Sequence, residues 1–331
     1  MIYIETQSID AAYHFSVEEY IVRYYPFSEE VFMIWQADKC AMIGSNQIVG
    51  SEIDTGYAIR EGVQIVRRSS GGGTIYTDLG TFLFTMIQPK PDEGYPLELA
   101  RNEVAMPVAE ALQKMGAPAK LEGRNDILVD GKKVSGLAQY ISSGRVCTHG
   151  SLLFDADLDT LVRVLRVDDE KIRSKALRSV RSRVANLKDH LDHACSPNEF
   201  RELLKENLFS GWQVRELTLS DYDLAQIDLI FHEKYGDPSW THQQSPKFSY
   251  RNSKRFTGGK VEVYLDIEKG TVASCSIRGD FLAVVPIRGL ESMLENRLFL
   301  RQSFSGALAG VALQPYLGNI SIDEFLSCFF D

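Results

Sequence analysis

Cysteine is scarce and scattered. Cys40, Cys147, Cys195, Cys275 and Cys328 are five in number, and no two form a C-x-x-C pair. Such spacing offers neither a zinc knuckle nor a disulfide framework, and it fits reduced thiols in a cytoplasm. Long apolar runs are missing as well, since no stretch approaches the roughly 18 residues of a spanning helix. The start, Met1-Ile2-Tyr3-Ile4-Glu5, lacks the basic residues and apolar run of a secretory leader, so a cytoplasmic location is expected. Positive charge is in deficit: 36 Lys and Arg against 45 Asp and Glu leave a net charge of −9. An acidic chain is repelled by phosphate backbones and anionic headgroups, so neither nucleic acid nor a membrane is expected as a partner. The Gly-rich stretch at 71–73 is not followed by a helix pattern, which excludes a dinucleotide fingerprint and a P-loop.

What is present is an ordinary globular composition, 44% hydrophobic and 24% charged over 331 residues, enough for two domains. Val31–Trp35 and Cys40–Gly44 are apolar runs separated by four polar or small residues and read as a hairpin. Phe82–Met86 reads as a buried strand. Val104, Val108, Leu112 and Met115 mark one face of a helix that contains Pro107. Asp130-Gly131 predicts a tight turn, and Ser196-Pro197 a helix start. A hairpin is expected over 260–277, turning at Glu268-Lys269-Gly270. Strands and helices alternate without a βαβ rhythm, so the expected class is α+β with a mixed sheet. The polar stretch 237–246 is the expected boundary, giving domains over 1–240 and 246–331.

Three segments have the residues for chemistry. In Arg67-Arg68-Ser69-Ser70-Gly71-Gly72-Gly73-Thr74-Ile75-Tyr76, glycines let a ligand approach the backbone, and Arg68 could contact phosphate; a flexible loop with solvated arginines is the alternative. In Asn125-Asp126 and Lys132-Lys133-Val134-Ser135-Gly136, a strand lysine could hold a carboxylate and offset charge in acyl transfer. Asp126 could position Mg²⁺ beside a triphosphate, or the pair could be a plain turn. Residues 171–188 carry seven basic and no acidic side chains, which suits a polyanion such as a nucleotide, or else a solvated face.

Taken in order, R-R-x-S-G-G-G-x-x-Y (67–76), G-R-N-D (123–126) with K-V-S-G (133–136), H-G-S-L-L (149–153) and S-V-R-S-R-V-x-N-L (179–187) resemble the lipoate–protein ligase A family. The stretch from S-P-K-F (245–248) through K-R-F-T-G-G-K-V-E-V to G-D-F (279–281) resembles that family's small domain, so the likeness covers nearly the whole chain. The resemblance implies a large domain with a core like biotin ligases and class II synthetases, plus a small C-terminal α/β domain. It also implies the reaction: lipoate and ATP, with Mg²⁺, give lipoyl-adenylate, and an acceptor lysine attacks it. The implied acceptors are lipoyl domains of 2-oxoacid dehydrogenase complexes, the glycine-cleavage H protein, or an H-like protein.

By the same resemblance Lys133 contacts the lipoyl carbonyl and the adenylate, with Lys132 one place off the pattern. Arg68, Gly73, Thr74, Ile75 and Tyr76 match nucleotide-contacting positions. Lys175, Arg178, Arg181 and Arg183 match a loop that folds over the adenylate. Trp35, Arg68, Gly71, Gly72, Ser135, Gly136, Cys147 and His149 match positions around the acyl group. Thr77 and Thr81 depart from the histidine and asparagine usual there, which bears on acceptor choice or acyl range. Two other readings stay open. Cys147 and His149, two apart on a strand, could serve a thioester acyltransferase. A silent lipoyl-binding protein would keep the fold without chemistry.

Overall fold

The structure, a computed structural model, describes residues 1–90, 96–123, 125–166, 182–242 and 247–331. The chain opens with β1 (Ile2–Ile4), α1 (Ala11–Arg23), β2 (Val31–Trp35), β3 (Cys40–Ile43), α2 (Val49–Glu52), α3 (Thr55–Glu61), β4 (Gln64–Arg67), β5 (Ile75–Thr77) and β6 (Thr81–Pro89). It continues with α4 (Leu97–Lys114), β7 (Lys120–Glu122), β8 (Asp126–Val129), β9 (Lys132–Ser142), β10 (Arg145–Leu153), α5 (Leu158–Val164), α6 (Pro197–Leu208), β11 (Arg215–Glu216) and α7 (Asp221–Ile230).

One sheet runs β11-β1-β2-β6-β10-β9-β8-β7. β1 is parallel to β11 and β2, and the remaining neighbours are antiparallel, so the sheet is mixed as expected. Its central strands are covered on both faces, which is why β6 reads as an almost continuous apolar run. The two-residue period sorts their side chains. Phe32, Ile34, Phe82 and Phe84 pack under α4 and α6, whereas Met33, Trp35, Leu83 and Ile87 pack under α1. α4 keeps its apolar face, Val104, Val108 and Leu112, on that core and runs through Pro107. α6 starts with the Ser196–Glu199 capping box, a device worth about 1 kcal/mol.

The hairpin expected over 31–44 does not form. β2 pairs with β1 and β6, while β3 belongs to a second sheet of order β4-β3-β5. β2 is an inner strand of the large sheet, between β1 and β6, and β3 is the inner strand of the second, so each already has a partner along both edges. β3 instead pairs parallel with β4 and antiparallel with β5.

Beyond α8 (Pro238–Thr241), β12 (Tyr250–Phe256), β13 (Gly259–Glu268) and β14 (Thr271–Gly279) make an antiparallel sheet. The turn at Lys269 and Gly270, both at positive φ, is the expected one. α9 (Arg288–Leu294), α10 (Arg301–Ala307), α11 (Gln314–Leu317) and α12 (Ile322–Phe330) surround it, with Val263, Leu290, Phe304 and Phe325 in a core of their own. This unit meets the β4–β5 loop and the large sheet through backbone bonds. The N–H of Gly72 donates to the Phe281 carbonyl at 3.0 Å, and that of Ile141 to Val284 at 2.7 Å. Among the described residues no helix is long and apolar enough to cross a membrane.

Candidate active site

β4 and β5 lie on opposite sides of β3, so residues 68–74 must cross the end of that strand in one tight loop. The crossing leaves no room for a side chain at Gly71, nor at Gly44 beneath it. A Cβ on Gly44 would stand 2.2 Å from the Gly72 carbonyl oxygen, and one on Gly71 would stand 2.7 Å from the Ala283 nitrogen. Gly72 adds a φ of +91°. The loop is held from inside by arginine. Arg68 donates from Nε to Ser70 Oγ (3.0 Å), from Nη1 to the Met42 carbonyl (2.8 Å) and from Nη2 to those of Gly71 (2.8 Å) and Gly73 (2.7 Å). Arg67 likewise donates to the carbonyls of Gly44, Ser45, Gln47, Trp240 and Thr241. Burial lowers both guanidinium groups to about 10, so both stay charged at neutral pH, with carbonyl dipoles taking the place of water. The contact expected from Arg68 to phosphate is therefore not its main engagement. It builds the loop and contributes positive potential from beneath.

β8 and β9 are joined by Asp130 and Gly131, at φ 49° and 74°, the left-handed pair of a type I′ turn. A bulge in this pairing sets Leu128 opposite Lys133 and Ile127 opposite Ser135. Lys133 Nζ then lies 2.7 Å from Asp126 Oδ1, both side chains about one-third exposed. The Lys133 backbone is pinned from the other side. Its N–H donates to the Arg183 carbonyl at 2.7 Å, and its carbonyl accepts from the N–H of Ala185 at 3.1 Å. Lys132 is exposed, and strand alternation turns it to the opposite face.

Two cavities meet at Lys133. The first is walled by rings and apolar chains (Phe15, Trp35, Met42, Leu83), by His149, by the loop residues Arg68, Gly72 and Gly73, and by Leu282 of the small unit. The second is walled by Tyr76, Ser135, Ser151, Leu153, Leu161 and Val184. Thr74, Ile75, Lys133 and Gly136 line both. Both compartments have largely apolar walls, the second lined also by the hydroxyls of Ser135 and Ser151, and a cation stands where they join.

His149 is fixed at both nitrogens, Nδ1 3.0 Å from Glu18 Oε2 and Nε2 2.6 Å from Ser70 Oγ. Thr85 donates to the same Glu18 oxygen at 3.0 Å, and Trp35 Nε1 donates to Thr85 at 3.3 Å. Cys147 shares the face of His149 but lies behind the cavity wall, fully buried. Burial, and after it the Glu18 carboxylate, push its thiol well above the usual range, the reverse of what a thioester nucleophile needs.

The residues expected from the sequence divide accordingly. Trp35, Arg68, Gly72, Gly73, Thr74, Ile75, Lys133, Gly136 and His149 converge on the first cavity, and Tyr76 and Ser135 on the second. Gly71 faces the small unit, its N–H donating to the Ala283 carbonyl at 3.4 Å. Asp126 is committed to Lys133. Arg183 reaches Lys133 through its carbonyl, while Lys175, Arg178 and Arg181 lie outside the described residues. Thr77 and Thr81 are buried and line neither cavity. Asn125, part of the second segment singled out in the sequence, lines the first cavity, whereas Phe15, Glu18, Met42, Leu83 and Leu282 were not among the expected site residues. Glu18 left a readable signal, a carboxylate on the apolar face of a helix with Phe15 one turn before it. Leu282 left none, because its place depends on docking of the small unit.

Known proteins resemble this chain along nearly all of its length. Residues 10–209 match the lipoyl protein ligase A/B catalytic domain, and residues 245–329 match the bacterial lipoate protein ligase C-terminus. A lipoate-protein ligase of Bacillus subtilis is 36% identical over 334 residues, covering all of both chains. A bi-partite lipoate protein ligase of Thermoplasma acidophilum, described with its E2 lipoyl domain, is 27% identical with a TM-score of 0.67. That likeness covers 75% of this chain and 98% of the other. A lipoate-protein ligase A bound with ATP is 25% identical with a TM-score of 0.64, covering 73% of this chain and 97% of that one. With a catalytic-domain match over most of its length and a full-length relative at this identity, the chain belongs to the lipoate–protein ligase family.

Proposed function

We propose that the chain joins lipoate to an acceptor lysine in two steps at Lys133. In the first, a carboxylate oxygen of lipoate attacks the α-phosphorus of ATP and pyrophosphate leaves. In the second, the acceptor amine attacks the acyl carbon, AMP leaves and an amide forms. The observation that supports this most is the meeting of two cavities at one cation, Lys133, beside the glycine loop. A free carboxylate is a poor electrophile, so the enzyme must bring its oxygen to phosphorus and offset the negative charge that develops between them. Lys133 is the residue proposed for that role, with Arg68 adding positive potential and Gly73 through Tyr76 presenting backbone to the nucleotide. Trp35, Phe15, Met42, Leu83 and His149 would hold the acyl chain.

The described walls of the second cavity carry no carboxylate, and Asp126 is neutralised by Lys133 at 2.7 Å. A hard divalent ion needs several oxygen ligands. These residues do not build a dedicated Mg²⁺ site, so Mg²⁺ is read as part of the ATP-Mg substrate. The acceptor proposed is a lipoyl domain of the dehydrogenase type, or the glycine-cleavage H protein or an H-like protein. Work in the cytoplasm, and a division into a catalytic part over 1–240 and an accessory part over 246–331, complete the reading. The separate core of the C-terminal unit supports that division.

Alanine substitution tests the central residue. Lys133→Ala should lower lipoyl-adenylate formation by at least about 100-fold, the scale of losing one charge-stabilising donor. Lys132→Ala should stay near the parent rate. The opposite pattern would move the role by one residue and remove the geometric basis of the reading.

A further inference from the structure

Among the described residues, one group of side chains beside the acyl pocket, which shares His149 with it, has the make-up of a metal site. Glu18 on α1 and Cys147 and His149 on β10 bring a carboxylate oxygen, a thiol sulfur and a ring nitrogen within 4.8 Å of one another, all three residues buried. We propose that these three side chains bind a divalent cation of the zinc class behind the His149 wall of the first cavity.

The donor set matches the ion. Zinc takes thiolate, imidazole and carboxylate ligands in a tetrahedron, with bonds of about 2.0–2.3 Å and ligand separations of about 3.3–3.7 Å. Glu18 Oε2 and His149 Nδ1 stand 3.0 Å apart, so small side-chain shifts would admit an ion between them. One thiolate and one carboxylate balance two positive charges, so the filled site would be neutral in a buried place. The Cys147 thiol would release its proton to solvent as the sulfur–metal bond forms.

Two further observations point the same way. Glu18 is almost wholly buried, yet its Oε1 meets no hydrogen-bond donor in acceptable geometry. A buried carboxylate with one oxygen unserved is destabilised, and a cation would offset that cost. The supporting shell of a metal site is also in place. Ser70 Oγ, 2.6 Å from His149 Nε2, fixes the ring so that Nδ1 is left for the ion, and Thr85 holds the carboxylate. His149 lines the cavity, which gives an ion its route inward and leaves the fourth ligand position to water.

Cobalt serves as the probe. The full-length protein, stripped with chelator, is titrated with Co²⁺ and then with Zn²⁺ while its absorbance is followed. The proposal expects one equivalent of Co²⁺, a thiolate-to-metal charge-transfer band in the near ultraviolet, and loss of that band when Zn²⁺ displaces cobalt. Cys147→Ser should abolish the band, and Glu18→Gln should weaken binding at least about tenfold. Cys195→Ser, which changes a partly exposed cysteine elsewhere, should leave the band intact. A wild-type titration without a thiolate band, or a band that persists in Cys147→Ser, would overturn the proposal. Should Cys147→Ser fail to fold, X-ray absorption on the zinc-loaded wild-type protein decides: one sulfur in the coordination shell supports the site, and none refutes it.

Discussion

Gly136 has no space for a methyl group, because a Cβ there would stand 2.7 Å from Lys133 Nζ and 2.9 Å from its Cε. The obstacle is the far end of a flexible chain, so Gly136→Ala should displace the lysine rather than break the strand. Adenylate formation is expected to fall at least about tenfold while the melting temperature moves little, a split that separates lost positioning from lost folding. A full-rate Gly136→Ala enzyme would show that the lysine need not sit where it does. Cys147 gives a second test. With its thiol pushed up by burial and by Glu18, enzyme incubated with lipoyl-adenylate should show no acyl group on Cys147 by mass spectrometry. At this scale the sequence was informative about Lys133, through the motif around it. It was silent on the inward turn of Arg68, whose partners are carbonyls of Met42, Gly71 and Gly73 gathered only by the fold.

The glycine loop shows what elements add. Strand positions for β2, β3, β6 and the β13–β14 hairpin were readable from apolar runs and turn residues. The partners of β2 and β3 were not, because a run buried on both faces gives no sign of which strand lies beside it. That is why the expected hairpin over 31–44 gave way to two sheets, and why the loop from β4 to β5 crosses β3. The loop also carries the contact with the small unit. Gly71→Ala would place its Cβ against backbone, 2.7 Å from the Ala283 nitrogen and 2.8 Å from the Phe281 oxygen, where little can yield. Overpacking of this kind costs about 1–3 kcal/mol, so calorimetry should find the melting temperature lowered by a few degrees. An unchanged melting temperature would mean that the two units are held together elsewhere.

Across the whole molecule, the approach of α2 to the C-terminal unit carries a carboxylate with a shifted titration. Glu52 on α2 is raised from 4.5 to about 7, first by burial and then by Asp280 and Glu262 of the C-terminal unit, against the opposing Lys260 and Arg255. Between those two values the folded chain holds a proton that the unfolded chain has lost. The contribution of this group to stability is therefore complete below about pH 4.5 and is lost as pH rises through 7. Melting curves from pH 5 to 8 should show the wild-type protein falling relative to Glu52→Gln as pH rises, and parallel curves would deny the coupling. The measurement that bears most directly on the whole account needs no acceptor. The protein is incubated with lipoate and ATP-Mg²⁺ alone, and pyrophosphate and lipoyl-adenylate are assayed. An adenylate-forming ligase releases pyrophosphate only when lipoate is present and accumulates lipoyl-adenylate in a matching amount. Absence of both products from folded protein would contradict the account, since a thioester acyltransferase or a silent lipoyl-binding protein makes neither.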